Sequence, residues 1–371
     1  MKREKLIIYP YDSYACPVVR HSRLANYDVV GVAAPAGWGL TDKDAGVVDG
    51  GANLGIRISS DFSDLLETCD TVLFTNSIRE LGFAEYIYPK LMQTMEAKKN
   101  IIYSIDLPED VYHKLKAAAE KAGIYFKYDQ RCLDYAQIPP RQKKLHEINT
   151  PTIFVLGTTE RTHKFEIQLV LREQLIKMGY RVSQIGSRNL GVIFGFNSFP
   201  DFMNNRLFTD ADAILMFNDF VKRIEHEEQP DVIIIGVPGG VMPINNTHTN
   251  YFGLMAYKIA HALTPDAVVF SSTYEDYGAD YFGKMATSIK YKIGCEITAH
   301  VLANVNIDWN ASRFNSELVY VTLSSDYVDK KIANYRQQGI SVYNILNLSD
   351  AESLANMIVD KLSDYSEIEA I

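Results

Sequence analysis

Four apolar residues in a row, Val232-Ile233-Ile234-Ile235, run straight into Gly236-Val237-Pro238-Gly239-Gly240. A strand that is apolar at successive positions has no face to give to water. It must lie inside a sheet covered on both sides, and a parallel sheet provides that cover. Runs of the same kind recur along the chain with helical stretches between them. Leu6 to Tyr9, Asp28 to Ala33, Thr71 to Thr75 and Asn100 to Ser104 read as strands. Phe83 to Ala97 and Pro108 to Ala122 carry apolar residues at helical spacing, and Gly123 stops the second. Thr152 to Leu156, Arg181 to Ile185, Ala267 to Phe270, Ile297 to Ala303 and Leu318 to Thr322 extend the strand pattern. The tail predicts a helix over Asp326 to Gln338, an extended Ser341 to Ile345, and a helix over Asp350 to Lys361 with Asp350 as N-cap. Alternating strands and helices define an α/β fold.

With 371 residues the chain exceeds one ordinary domain and suits two. Ile138 to Pro151 marks the expected join, since paired prolines, a basic cluster and a lack of apolar periodicity describe an exposed connector. The net charge of −9 argues against nucleic acid or an anionic membrane as the main partner. The start runs from charged residues directly into the short Leu6 to Tyr9 strand, without a signal-like or membrane-spanning apolar stretch, so a cytoplasmic protein is expected. Cys16, Cys69, Cys132 and Cys295 are scattered and form no CxxC pair, which suggests reduced structural thiols and no metal site.

The segment Thr152 to Glu166 joins a buried-type strand to a helix through Gly157-Thr158-Thr159-Glu160-Arg161-Thr162-His163-Lys164. A loop at such a turn offers backbone N–H groups and a helix dipole to an anion. It reads as a phosphate loop that has lost parts. The position before the lysine, normally glycine, is His163, and Phe165 and Glu166 follow where a hydroxyl would hold Mg²⁺. A carboxylate within ~4 Å of a phosphate at an effective dielectric near 20 costs about 4 kcal/mol. Gly157, Thr158, Thr159, Thr162, His163 and Lys164 are the candidate phosphate or nucleotide ligands; a plain strand-to-helix turn is the competing account.

Gly239 and Gly240 join these candidates, because glycines at a strand's carboxyl end let backbone approach a ligand, although Pro-Gly-Gly is also a strong turn signal. The acid that usually organises Mg²⁺ at the end of this strand is replaced by Gly236. His248 stands further along and could reach the same edge as Lys164, or serve as a capping residue. Near the start, Asp12 and Ser13 follow the first strand, with Cys16, Arg20, His21 and Arg23 after them. Asp12, Ser13, Arg20 and His21 could line a ligand cleft, with arginine and histidine gripping a carboxylate, or the first two could simply cap a helix. Cys16 at a helix start could have a lowered pKa. Gly31 to Gly55 lacks the dinucleotide fingerprint and reads as a surface loop carrying Trp38.

The second half resembles the P-loop group that includes dethiobiotin synthetase and the D-glutamate N-acetyltransferase family. Five residues separate Gly157 from His163-Lys164 with the spacing of that group, and Gly239, Gly240 and Pro243 resemble its glycine-rich turn. Ser187-Arg188-Asn189-Leu190-Gly191 stands where the acetyltransferases have a Thr-Gly-Gln-Thr-Gly turn. Over its whole length, through the runs Tyr9 to Leu24 and Phe196 to Met203, the chain resembles the peptide maturation system proteins encoded beside Cys-rich precursor peptides and their radical SAM enzymes. The expected architecture is a Rossmann-like α/β domain with a small open parallel sheet at 1–138, a linker at 139–151, and a larger degenerate P-loop-like parallel sheet flanked by helices at 152–371. The resemblance and the altered loop positions together imply an accessory protein that binds precursor peptide, modifying enzyme or a small ligand through an interdomain cleft; the altered loop implies no NTP hydrolysis and a lost Mg²⁺ site. A homo-oligomer is compatible with it. The alternative is a ligase or transferase that uses a nucleotide or acyl-CoA and acts on a small amino acid or carboxylate.

Overall fold

The computed structural model describes residues 3–128, 144–315 and 317–368. The chain forms two compact units, Met1–Gln130 with Asn189–Gly195, and Arg131–Arg188 with Phe196–Ile371. The expected boundary at 138, the connector residues 139–143 and Cys132 lie outside the described residues.

The first unit is a six-stranded parallel sheet of β1 (Glu4–Tyr9), β2 (Tyr27–Ala33), β3 (Ile58–Ser59), β4 (Thr71–Phe74), β5 (Asn100–Tyr103) and β6 (Phe126–Tyr128). Helices α1 (Cys16–Arg20), α2 (Phe62–Thr68), α3 (Tyr88–Glu96) and α4 (Glu109–Ala122) connect them. Strand order is β3-β2-β1-β4-β5-β6. The chain therefore winds outward from β1 in both directions, and the carboxyl ends of β1 and β4 border a topological switch point, where open α/β sheets form crevices. Leu6, Ile7, Ile8, Val72 and Phe74 are fully buried, as central strands covered on both faces require. Gly123 adopts φ 73° and ends α4, in agreement with the sequence reading. The short edge strands β3 and β6 carried no sequence signal.

The second unit holds a seven-stranded parallel sheet of β7 (Thr152–Gly157), β8 (Val182–Gly186), β9 (Asn197–Ser198), β10 (Val232–Gly236), β11 (Ala267–Ser272), β12 (Ala299–Leu302) and β15 (Val342–Tyr343). A separate antiparallel hairpin pairs β13 (Val305–Ile307) with β14 (Tyr320–Thr322). The helices are α5 (Lys164–Lys177), α6 (Asp210–Glu228), α7 (Leu254–Ala262), α8 (Asp280–Ile293), α9 (Trp309–Phe314), α10 (Ser325–Gln337) and α11 (Leu348–Ile368). The order β15-β12-β11-β7-β10-β8-β9 puts the loop-bearing β7 at the centre. Alternate residues of the central strands feed two cores. Phe154, Ile233, Ile235 and Phe270 pack with Phe217 of α6 and Ile259 of α7, while Ile153, Val155, Ile234 and Val269 pack with Leu171 of α5 and Leu354 of α11. That double cover is why Val232 to Ile235 is apolar at every position.

Three local expectations change. Leu318 to Thr322 leaves the main sheet and supplies β14 of the hairpin. Asp350 is not the N-cap of α11: the helix starts at Leu348, the Asn347 side chain accepts the Ser349 amide at 3.1 Å, and the Asp350 carboxylate holds Asn344 N–H at 2.8 Å and Arg336 at 2.7 Å. The described end of the connector is stitched to α6, with His146 N–H donating to Asn218 Oδ1 at 2.6 Å and the Asn149 and Thr150 amides sharing Glu225 Oε1 at 2.7 Å. Among the described residues no helix is long and apolar enough to cross a membrane.

Candidate functional site

The Gly157 to Lys164 loop leaves the end of β7 and turns into α5 beneath the carboxyl edge of the second sheet. Its first residue has to be glycine, because a Cβ there would stand 2.3 Å from Thr162 Oγ1. His163 sits at φ 57°, a glycine-like backbone for a residue with a Cβ, at a cost of about 1 kcal/mol. The imidazole is held by the chain itself. Its Nε2 donates to Asn304 Oδ1 at 2.5 Å, and its Nδ1 lies 3.6 Å from Glu166. No side chain caps α5, and among the described residues the amides of Thr159, Glu160, Arg161 and Thr162 donate no hydrogen bond. Uncapped helix amides and unclaimed loop amides together favour an anion.

Lys164 is turned inward. Its buried ammonium donates to Thr159 O at 2.8 Å and to Gly239 O, and burial brings its pKa down to about 8. The contact with Gly239 joins the loop to the turn after β10. Gly240 completes that junction, because a Cβ on it would strike Asn250 Nδ2 and Thr158 O. The Asn250 amide in turn donates to Thr158 O at 2.8 Å and Met242 O at 2.9 Å. His248, two residues earlier, contacts Asn245, Thr247 and the Trp309 ring; Asn250 is the side chain of this segment that reaches the loop. Thr159 Oγ1 bonds the Tyr320 hydroxyl at 2.7 Å, and Thr162 Oγ1 donates to Thr159 O at 3.1 Å. Thr158 Oγ1 and Ser271 Oγ are buried without a partner.

The like-charge penalty expected from Glu166 is offset. Burial alone would raise its pKa, but Arg188, at 3.7 Å, and then His163 outweigh this and hold the carboxyl at about 2. Sequence reading missed Arg188 as a counter-charge because it lies on the segment after β8, remote in sequence. The resemblance of this loop to a phosphate loop would imply a magnesium nucleotide, and the residues present do not fit one. The slot of the metal-organising acid holds Gly236, and its volume is filled: a Cβ there would lie 2.3 Å from the Gln168 amide oxygen. Gln168 is fully buried, donates to Ile185 O at 2.9 Å, and leaves that oxygen unbonded. Gln168, Asn250, Ser271 and Asn304 were not singled out from sequence. Only Ser271 had a signal, as the first of a hydroxyl run at a strand's carboxyl end.

In the first unit the predicted cleft residues are engaged with the chain itself. Arg20 does grip a carboxylate bidentately, at 2.8 and 2.7 Å, but the carboxylate is Asp49. Asp12 takes the Tyr14 amide at 2.8 Å and the Ile78 amide at 2.6 Å, while α1 itself has no side-chain cap. Ser13 lies half-buried in that turn, and His21 is the buried residue that closes α1. Cys16 donates to Asp49 at 3.1 Å, and burial followed by the Asp49 charge pushes its thiol well above the usual range, the reverse of the activation expected at a helix start. Trp38 carries the Arg79 guanidinium 5.5 Å above its ring.

No family model matches the chain, and no curated protein matches it significantly. Among solved structures, a DUF1611 family protein from Anabaena variabilis superposes with a TM-score of 0.61 over 96% of this chain and 100% of its own, at 12% identity. That likeness is one of fold: a two-domain α/β architecture of parallel sheets flanked by helices. An amine dehydrogenase from Mycobacterium smegmatis (16% identity, 34% of this chain and 38% of its own) and an SsGBP variant (13%, 97% and 99%) give TM-scores of 0.28 and 0.30, too low to carry an argument.

Proposed function

We propose that the second unit is a metal-independent anion-binding module and that the chain acts as an accessory ligand-binding protein, not as an NTPase. One observation carries this reading: the Gln168 side chain occupies the space beside Gly236 that a magnesium-organising carboxylate would need. The loop's amides and the orphaned hydroxyls of Thr158 and Ser271 still suit a phosphate or carboxylate. Lys164 would leave its two carbonyls to meet the charge. The pathway we assign is maturation of a ribosomally synthesised Cys-rich peptide, on the strength of the sequence resemblance alone.

Calorimetric titration with ATP, GTP and acetyl-CoA, in EDTA and in excess Mg²⁺, tests the module. Binding that is equal in both buffers, weakened by Lys164→Ala and unaccompanied by phosphate release is expected. Magnesium-dependent binding with phosphate release would overturn it. Affinity capture with precursor peptide and radical SAM enzyme tests the pathway, and no enrichment of either counts against it. A second reading, a transferase using acyl-CoA, is favoured by the uncapped start of α5. Acyl transfer from acetyl-CoA to an amine would establish it.

A further inference from the structure

A cavity of about 370 Å³ opens at the carboxyl ends of β1, β4 and β5, at the switch point of the first sheet. The phosphate-type loop belongs to the other unit. Pro10, the residue after β1, Thr75, the residue after β4, and Ile105, just beyond β5, all line the cavity. Its volume falls in the range of small-molecule sites, roughly 300 to 1,000 Å³.

Thr75 is fully buried and its hydroxyl has no hydrogen-bond partner. A buried hydroxyl left unpaired costs about 1 to 3 kcal/mol, so a bound molecule that pairs with it recovers free energy. The Tyr103 hydroxyl at the end of β5 is also buried and unpaired. The wall combines apolar Phe83 and Ile87 with polar Asn76, Glu80 and Asp106. Among the described lining residues there is no lysine, arginine or histidine. The nearest arginine in that loop, Arg79, is taken by the Trp38 ring. Asn189 donates to Ser104 O at 3.1 Å and Asp106 Oδ1 at 3.2 Å, which fixes the carboxylate at the rim, and Asp12 braces the loop through Ile78 N–H.

We propose that this cavity binds a small organic amine: an ammonium head against Asp106 and Glu80, with an apolar body on Phe83 and Ile87. Two carboxylates without a cation repel phosphates and carboxylates and attract ammonium. The hydroxyl of Thr75 and the amide of Asn76 orient the head.

Ligand-observed NMR and calorimetry on the full chain test this with phenethylamine, phenethyl alcohol and hydrocinnamate, which share a ring and differ in charge. Phenethylamine should bind most tightly and hydrocinnamate least. Asp106→Asn, at an exposed position that tolerates the change, should weaken phenethylamine about fivefold and leave phenethyl alcohol unaffected. Thr75→Val, of matched shape and checked for folding by circular dichroism, should weaken both. The proposal is overturned if hydrocinnamate binds as well as phenethylamine, if Asp106→Asn leaves amine affinity unchanged, or if phenethylamine fails to bind at millimolar concentration.

Discussion

Replacing Gly236 by alanine tests the account of the second site. The added Cβ would stand 2.3 Å from Gln168 Oε1, 2.4 Å from its Cδ and 2.5 Å from its Nε2, each far inside van der Waals contact. Gln168 cannot yield cheaply, because it is fully buried and its Nε2 donates to Ile185 O at 2.9 Å. Overpacking of this kind costs about 1 to 3 kcal/mol. Breaking the bond to Ile185 adds about 1 kcal/mol, giving roughly 2 to 4 kcal/mol in all. Urea denaturation of wild type, Gly236→Ala, Gln168→Ala and the double variant measures it. Removing the Gln168 amide opens the space, so Gly236→Ala should cost much less in that background, with a coupling of about 1 to 3 kcal/mol. If alanine at 236 costs the same with and without Gln168, the clash is not the reason for the glycine, and the argument that this volume excludes a metal-organising acid fails.

Acid unfolding reports on Glu166. Its carboxyl titrates at about 2 in the folded chain against 4.5 ordinarily, so its stabilisation is complete above pH 4.5 and lost as pH falls toward 2. The shift corresponds to about 3 kcal/mol, and Glu166→Gln should flatten the acid limb of stability against pH by that order; an unchanged limb would refute the pairing with Arg188. In the first unit, Asp49→Asn leaves the half-buried Arg20 guanidinium without its counter-charge. Thermal or urea unfolding should show a loss of about 3 kcal/mol, and a loss within measurement error would mean the bidentate pair is not structural.

The strands that lie inside the sheets were legible because burial on both faces writes itself into the sequence as continuous apolar runs, Val232 to Ile235 above all. The short edge strands at Ile58–Ser59 and Phe126–Tyr128 were not, since two or three pairing residues impose too little pattern. The loop was legible as a turn with Gly157 and Lys164 at a fixed spacing; its contact with Gly239 was not. Nor were its electrostatics. Reading Glu166 along the chain predicted uncompensated repulsion, whereas Arg188 cancels it from another strand's end.

The sequence by itself determined the class of fold, the central strands and the strand-to-helix turn from Gly157 to Lys164, because hydrophobic period and turn chemistry act between near neighbours. Only the tertiary structure decided where Lys164 puts its charge, what fills the space at Gly236, and that Arg20 spends its guanidinium on Asp49. Those outcomes depend on side chains brought together across tens of residues, and no local pattern encodes which of them will meet.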